Sequence, residues 1–396
     1  MEICPKKSCT GCGACAHVCP KKCISMKEND IGAVYPDVDE NACVSCGKCQ
    51  KVCPVLKDEG FLTPTKAYAA FSSNNEERRT SASGGIAAEI YRLAANEKML
   101  SVGAKSNEDF SVTLELAQSA EDIKAFKNSK YVFSTAYSLY PKLKKSLEAG
   151  ERIIVIGLPC QIAAVKSLFG EEENLYLVDL VCHGTTPVKY LKQHISDLEK
   201  MYGKQAEEMS FRDPDKGTAK FTFTLYDKDN NCFYAKRTME GDTYQIGYHK
   251  GISYRENCYR CKWARVERVS DLTLCDYWGI GKAAPWELEK EKISCILVNT
   301  EKGQDIVNQL VEKNMMQAFE RPLKEPIRAN RQLQSPVDKS KARLDFEKYI
   351  VLSKGNFEET MANVIKRQKV RDNTAKMAAL VKKPLRVLKK LFKKGS

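Results

Sequence analysis

The stretch Cys9-Thr10-Gly11-Cys12-Gly13-Ala14-Cys15-Ala16-His17-Val18-Cys19-Pro20 is followed by a second copy of its pattern, Cys43-Val44-Ser45-Cys46-Gly47-Lys48-Cys49-Gln50-Lys51-Val52-Cys53-Pro54. Both read C-x2-C-x2-C-x3-C-P. Three thiolates two residues apart can wrap one face of an iron–sulfur cubane within a single tight turn. The fourth, set before proline at the start of a helix, points toward a second cluster. The spacing therefore assigns Cys9, Cys12, Cys15 and Cys53 to one [4Fe–4S] cluster, and Cys43, Cys46, Cys49 and Cys19 to another. Gly11, Gly13 and Gly47 let backbone N–H groups approach the sulfides. Zinc sites use two spaced C-x-x-C knuckles instead of triple runs followed by proline. Cys4 and Cys23 fall outside the pattern and read as buried small hydrophobes, with His17 as a polar neighbour or surface residue.

Ten of the seventeen cysteines lie before residue 54. In a secreted chain such density would mean disulfides. Here the N-terminus Met-Glu-Ile-Cys-Pro-Lys-Lys has no apolar signal core, so the expected location is the cytoplasm, peripheral to the inner membrane face at most, and the expected use of the thiols is metal ligation. A length of 396 residues, 43% hydrophobic and 29% charged, predicts two or three globular domains with a sizeable core. No apolar run reaches the ~18–20 residues of a membrane span. The net charge is +13, but Lys366–Lys394 alone carries twelve Lys/Arg against one acid, Asp372, and so supplies +11. A near-neutral body with a basic tail argues against nucleic acid as a partner.

The rest of the chain changes character after Phe61-Leu-Thr-Pro-Thr, which reads as a linker. Lys66–Phe71, Arg152–Ile156 and Leu175–Val181 read as strands; Ser83–Ala95, Gln161–Phe169 and Pro187–Lys200 read as helices. This alternation predicts an α/β domain with a mostly parallel sheet. Phe221–Tyr226 and Cys232–Lys236 look like a hairpin, and Ile293–Asn299 with Gly303–Lys313 a last strand–helix pair. The expected domains are a two-cluster unit at 1–60 with an α+β ferredoxin-like fold, an α/β unit at 66–315 and a helical basic extension at 316–396.

Two further motifs carry chemistry. Gly157-Leu-Pro-Cys160-Gln161 and Leu180-Val-Cys182-His-Gly place a cysteine just after the carboxyl end of a predicted strand, where ligands of α/β sheets collect. Cys258-Tyr-Arg-Cys261 lies on a loop able to fold over the same edge. Four thiolates meeting there would hold a third cluster; otherwise Cys160 and Cys182 are buried and Cys258/Cys261 form a lone knuckle or redox pair. Ser81-Ala-Ser83-Gly84-Gly85 opens a helix, either as a phosphate-binding N-terminus or as an ordinary cap. There is no G-x-G-x-x-G, hence no support for a standard dinucleotide fold. His194 reads as a surface residue of a helix, Cys232 and Cys295 as core, and Cys275 as packing. His183 is expected either near a cofactor or in a turn, and His249 as a substrate contact or none. No Ser-His-Asp or metal-hydrolase constellation is visible, and no catalytic residue is assigned.

With Ser83-Gly-Gly-Ile, Ser129-Lys-Tyr-Val-Phe-Ser134, Gly157-Leu-Pro-Cys-Gln161, Cys182-His-Gly, Cys258-Tyr-Arg-Cys261 and Asp271-Leu-Thr-Leu-Cys-Asp-Tyr-Trp-Gly279 in this order, the chain resembles the coenzyme F-420 hydrogenase/dehydrogenase beta subunit family, in the form with an N-terminal two-cluster ferredoxin domain. The resemblance spans roughly residues 3–300. It implies a flavoprotein that binds FAD and moves electrons between a ferredoxin-like donor or partner redox subunit, [4Fe–4S] clusters, the flavin and a small-molecule acceptor. That acceptor is a deazaflavin coenzyme or a metabolite, with polysaccharide synthesis as one setting. Carried over by position, Ser83, Gly84 and Gly85 would touch the flavin phosphates, and Lys130 and Tyr131 would hold the cofactor. The resemblance also favours the third cluster at Cys160, Cys182, Cys258 and Cys261. The alternative is a non-catalytic electron-transfer subunit or adaptor serving a separate catalytic partner. In the tail, Leu385, Leu388, Leu391 and Phe392 fall on one stripe of a helix expected to start at Pro384, with Arg386, Lys389, Lys390, Lys393 and Lys394 around it. Such a helix can rest weakly on an anionic membrane surface; the alternative is a solvated, partly disordered tail.

Overall fold

A computed structural model describes residues 1–58, 60–170 and 172–392, with side chains as far as 374. The chain divides into two compact units, Met1–Asp338 and a second from Lys339 onward. Fourteen strands are described, all in the first unit: β1 Ile24–Glu28, β2 Val34–Val38, β3 Lys66–Ser72, β4 Leu100–Ser106, β5 Val112–Leu116, β6 Ser134–Thr135, β7 Ile153–Gly157, β8 Leu175–Leu180, β9 Glu208–Ser210, β10 Thr222–Tyr226, β11 Cys232–Arg237, β12 Leu272–Asp276, β13 Ser294–Val298 and β14 Met316–Arg321.

The α/β expectation holds. One nine-stranded sheet has the order β14-β3-β13-β12-β8-β7-β4-β5-β6. Its centre, β12-β8-β7-β4, is parallel throughout, and β5 pairs β6 in parallel. Antiparallel pairs add β13, β3 and β14 on one side and β5 on the other. All five residues of β7, Ile-Ile-Val-Ile-Gly, are buried, because a parallel centre is covered on both faces. Ile154 and Ile156 face the helices Ile86–Asn96 and Glu301–Glu312 in one core. Ile153 and Val155 face the helices Leu139–Glu148 and Pro159–Phe169 in the other. Each such buried Ile or Val contributes roughly 1.5–3 kcal/mol relative to exposure.

The domain boundaries differ from those expected at 1–60, 66–315 and 316–396. β14 pairs with β3 from Met316↔Ser72 to Arg321↔Ala67, so the sheet continues past residue 315. Glu325 lies beyond it, buried against Tyr277 (2.9 Å) and Arg321 (3.0 Å). The short alternating run Met316-Gln-Ala-Phe-Glu-Arg reads as polar in sequence because an edge strand buries little. Residues 1–58 are integral to the first unit. The Tyr137 hydroxyl donates to the Gly11 carbonyl (3.0 Å), Tyr140 to Cys12 (2.7 Å), Arg255 to Thr10 (2.8 Å) and Ser167 to Val52 (2.8 Å).

Within residues 1–58, β1 and β2 form a hairpin, and the two copies of the cysteine pattern each form a short helix, Ala14–His17 and Lys48–Lys51. Gly13 (φ +79°) and Gly47 (φ +71°) open these helices in the left-handed conformation, which costs a side chain-bearing residue roughly 1–2 kcal/mol. The core of this region is Ile3, Ile24 and six cysteines.

The second unit packs the helix Lys341–Leu352 on the helix Phe357–Phe392 through Phe346, Ile350, Phe357, Met361 and Val364. The latter helix runs on through residue 384, where a helix start was expected. The side chains of the apolar stripe and its basic surround lie outside the described residues. Among the described residues no helix is long and apolar enough to cross a membrane.

Candidate iron–sulfur sites and sheet edge

Cys19, Cys43, Cys46 and Cys49 line one cavity of ≈ 150 Å³, together with Cys23. Cys9, Cys12, Cys15 and Cys53 line another, of ≈ 20 Å³, together with Cys4. Each set of four therefore takes its fourth cysteine from the other copy of the repeat. Burial pushes the Cys12 thiol up to about 11 and Cys15 higher still. Hydrogen bonds from the Cys4 thiol lower Cys9 and Cys53 in the same set; a cationic iron core would favour the thiolate form of all four.

The dispersed cysteines also meet. β7, β8 and β12 run parallel, β13 antiparallel to β12 and β3 antiparallel to β13. The carboxyl ends of β3, β7, β8 and β12 and the start of β13 thus share one edge. Cys160 sits there in the first turn of the helix that follows β7, and Cys182 just after β8. Cys258 and Cys261 come from the turn around Glu256–Arg260. All four line one cavity of ≈ 40 Å³ with Thr10, Cys12, Gln161, His183 and Arg255. Burial pushes Cys160 and Cys182 well up and Cys261 to about 11. A buried polar atom on this cavity's wall, Arg255 Nε, has no hydrogen-bond partner among the described residues. Cys12 lines both this cavity and that of the first ferredoxin-type set.

Arg268 fixes the Cys258–Cys261 loop against the sheet. Its side chain is 1% exposed and pairs with Asp179 of β8 at 2.7 Å. Its Nη1 donates to the carbonyls of Trp263 (3.0 Å) and Arg265 (3.1 Å). The backbone of Arg268 also bridges Leu62. Sequence reading passed over Arg268, since an arginine in Arg-Val-Glu-Arg-Val looks solvated; only its place behind β8 makes it structural.

Further along the same edge lies an aromatic and charged cluster. The Tyr131 ring stacks on Tyr248 with centroids 4.4 Å apart and meets His249 edge-on at 5.6 Å. Arg212 pairs with Asp276 at the end of β12 (3.1 Å) and lies over Phe221. Burial lowers His249 to about 4, lowers His183, and lowers Lys292 to about 8. Of these residues, sequence reading singled out only Tyr131, His183 and His249. Asp276 falls within the Asp271–Gly279 motif, whereas Arg212, Tyr248 and Lys292 carry no motif of their own that would have marked them.

The other expected flavin contacts sit differently. The Gly84 N–H donates to Ser294 Oγ (2.9 Å), and a Cβ on Gly84 would stand 2.5 Å from the Ala70 carbonyl oxygen. Ser83 Oγ donates to the Ile293 carbonyl (2.9 Å), and Gly85 is a left-handed cap (φ +87°). Ser83 and Gly84 thus tie the helix start to β3 and β13, and the Gly84 amide is bonded to Ser294. Lys130 donates to the carbonyls of Ala125, Phe126, Lys127 and Asn128 at 2.7–3.3 Å, closing the helix Ala120–Ala125. Burial lowers it to about 7, opposed by the four oxygens, which favour its charge. His194 is buried, 3.0 Å from Asp242, on the inward face of its helix and not at the surface. Cys232 is exposed and not core, at the start of β11, whereas Cys295 is fully buried.

Comparison with known proteins bears on these sites. Residues 150–322 match the family described as the C terminus of the coenzyme F420 hydrogenase/dehydrogenase beta subunit, and residues 8–56 match the 4Fe-4S dicluster domain. The F subunit of the F(420)H(2) dehydrogenase of Methanosarcina mazei is 27% identical over 198 residues, covering 46% of this chain and 55% of that protein. The chain thus spans about half the length of this curated relative. A chain of the F420-reducing [NiFe] hydrogenase complex from Methanosarcina barkeri superposes with a TM-score of 0.45 and 17% identity, over 79% of this chain and 96% of that one. The dicluster segment, the matched region after it and the relative from Methanosarcina mazei agree, and they identify residues 150–322 as the C-terminal region of a coenzyme F420 hydrogenase/dehydrogenase beta subunit, behind a 4Fe-4S dicluster domain at residues 8–56.

Proposed function

We propose that this iron–sulfur protein is a flavin-dependent oxidoreductase in which three [4Fe–4S] clusters link a ferredoxin-like donor or partner redox subunit to FAD and a small organic acceptor. The observation that carries the reading is Cys12, which stands in the wall between the first ferredoxin-type cavity and the cavity of Cys160, Cys182, Cys258 and Cys261. The repeat would hold two clusters, on Cys9, Cys12, Cys15 and Cys53 and on Cys43, Cys46, Cys49 and Cys19; the sheet edge would hold the third. When bound, the clusters supply one-electron steps and the flavin couples them to a two-electron acceptor.

The chain's own residues do the rest. Arg268 and Asp179 hold the C-x-x-C loop in register with β8. Tyr140, Tyr137 and Arg255 hold residues 10–12 against the sheet unit, fixing the distance between thiol sets. With the Gly84 amide occupied, Arg212 and Lys292 are the cations at this edge suited to a flavin's phosphates, and Tyr131 and His249 offer ring surfaces beside them. The acceptor is read as a deazaflavin or a metabolite.

Anaerobic purification tests the reading. Full loading gives about twelve iron atoms per chain, and about eight if only the dicluster domain is loaded, with a yellow chromophore released on denaturation. Protein that carries zinc and no iron would sink it. The second reading, an adaptor without a substrate, rests on the Methanosarcina mazei relative being one subunit of a dehydrogenase; turnover of an acceptor by the isolated chain with a chemical reductant excludes it.

A further inference from the structure

Each N-terminal cavity contains five cysteines where a cubane needs four. We propose that Cys23 and Cys4 are reserve ligands: Cys23 can replace Cys19 in one cluster, and Cys4 can replace Cys9 or Cys53 in the other. The proposal rests on the cluster reading above and deepens it.

Geometry separates these two cysteines from mere packing residues. The chain after Cys19 turns back through Pro20-Lys21-Lys22, closed by the Lys22 N–H to the Cys19 carbonyl (3.1 Å), with Lys22 at φ +50°. That turn sets Cys23 Sγ 3.4 Å from Cys19 Sγ, on the lining of the cavity that Cys43, Cys46 and Cys49 share. Cys23 is also in hydrogen-bond contact with Cys43. Cys4 lines the other cavity and contacts both Cys9 and Cys53. Both positions thus carry a thiol among the ligand-type cysteines of their cavity.

The exchange balances without any redox change. An iron–sulfur bond to Cys19 gives way to one to Cys23; the Cys23 thiol releases its proton and the Cys19 thiolate takes one up. Where Cys19 has been replaced, the proton from Cys23 passes to solvent. The same accounting applies to Cys4 with Cys9 or Cys53.

The test is iron and acid-labile sulfide in the anaerobically purified full chain, with mass-spectrometric mapping of thiols alkylated before unfolding. Cys19→Ala is expected to keep the wild-type iron content, with Cys23 becoming protected from alkylation. Cys19→Ala combined with Cys23→Ala should lose from about one to about four iron atoms, as the cubane degrades or is lost. Cys46→Ala, at a position other than the one beside which Cys23 sits, should lose iron even with Cys23 present. Cys53→Ala, alone and with Cys4→Ala, repeats the comparison at the other cavity, and Cys19→Ser serves where the alanine variant is insoluble. Iron lost from both Cys19 single variants and from Cys53→Ala would overturn the proposal while leaving the cluster reading intact. So would iron kept by both double variants. Wild-type protein without iron would overturn the cluster reading itself, and this inference with it.

Discussion

Two regions of this chain gather four-cysteine sets by opposite means. In residues 9–53 the cysteines of each copy are spaced by two or three residues around one four-residue helix, and the core is mostly cysteine. At the sheet edge the four come from points as far apart as residues 160 and 261, on the helix after β7, the loop after β8 and the turn around Glu256–Arg260. The first arrangement is written into local spacing, so its stability should depend on what fills it. The second is imposed by strand order and by one buried ion pair, so its geometry should depend on the scaffold.

Arg268→Met offers the sharpest way to break that contrast. Removing one partner of a buried pair typically costs ~3–5 kcal/mol because the other charge is stranded. The expected result is a loss of that size in denaturant unfolding, with about four iron atoms lost from the sheet-edge site and the dicluster iron retained. Unfolding at the wild-type midpoint would mean the Arg268–Asp179 pair is not the latch.

Cys258→Ser with Cys261→Ser probes the same site without touching the scaffold. Iron should fall by about four per chain, and the metal-free forms of variant and wild type should unfold within ~1 kcal/mol of each other. Unchanged iron would mean that the dispersed cysteines hold no cluster.

Gly84→Ala addresses the helix start at the same edge. A methyl group 2.5 Å from the Ala70 carbonyl and 2.7 Å from the Ser294 amide must displace backbone, an overpacking cost of roughly 1–3 kcal/mol. Thermal unfolding should show it together with any change in flavin content. Flavin lost at undiminished stability would restore the phosphate-cradle reading.

The smallest expected difference lies inside the repeat. Gly13 and Gly47 share a left-handed conformation, but a Cβ on Gly13 would meet the Tyr137 ring at 2.3 Å, while one on Gly47 meets nothing within 4 Å. Gly47→Ala should cost roughly 1–2 kcal/mol from backbone strain alone, and Gly13→Ala ~1–3 kcal/mol more from overpacking. Equal melting temperatures for the two variants would show that the docking of residues 10–12 on Tyr137 contributes nothing to stability.

The sequence by itself determined the dicluster repeat, because a triple C-x2-C run needs no distant residue to be recognised, and it determined the α/β alternation, because buried strands such as Ile153–Gly157 are apolar without a break. It also marked Cys160, Cys182 and the C-x-x-C pair, with their meeting at the sheet edge as one of two readings, which the strand order decided. Tertiary structure alone decided what depends on neighbours far along the chain. Edge strand β14 hides in a polar run because only one side of it is paired. Ser83-Gly84-Gly85 looks like a phosphate loop, yet its free amide is taken by Ser294, 210 residues away. His194 lies inward because Asp242 waits there. Arg268, Arg212 and Lys292 are ordinary surface-type residues by composition, and only long-range packing, which spacing cannot encode, turns them into a latch and a cationic edge.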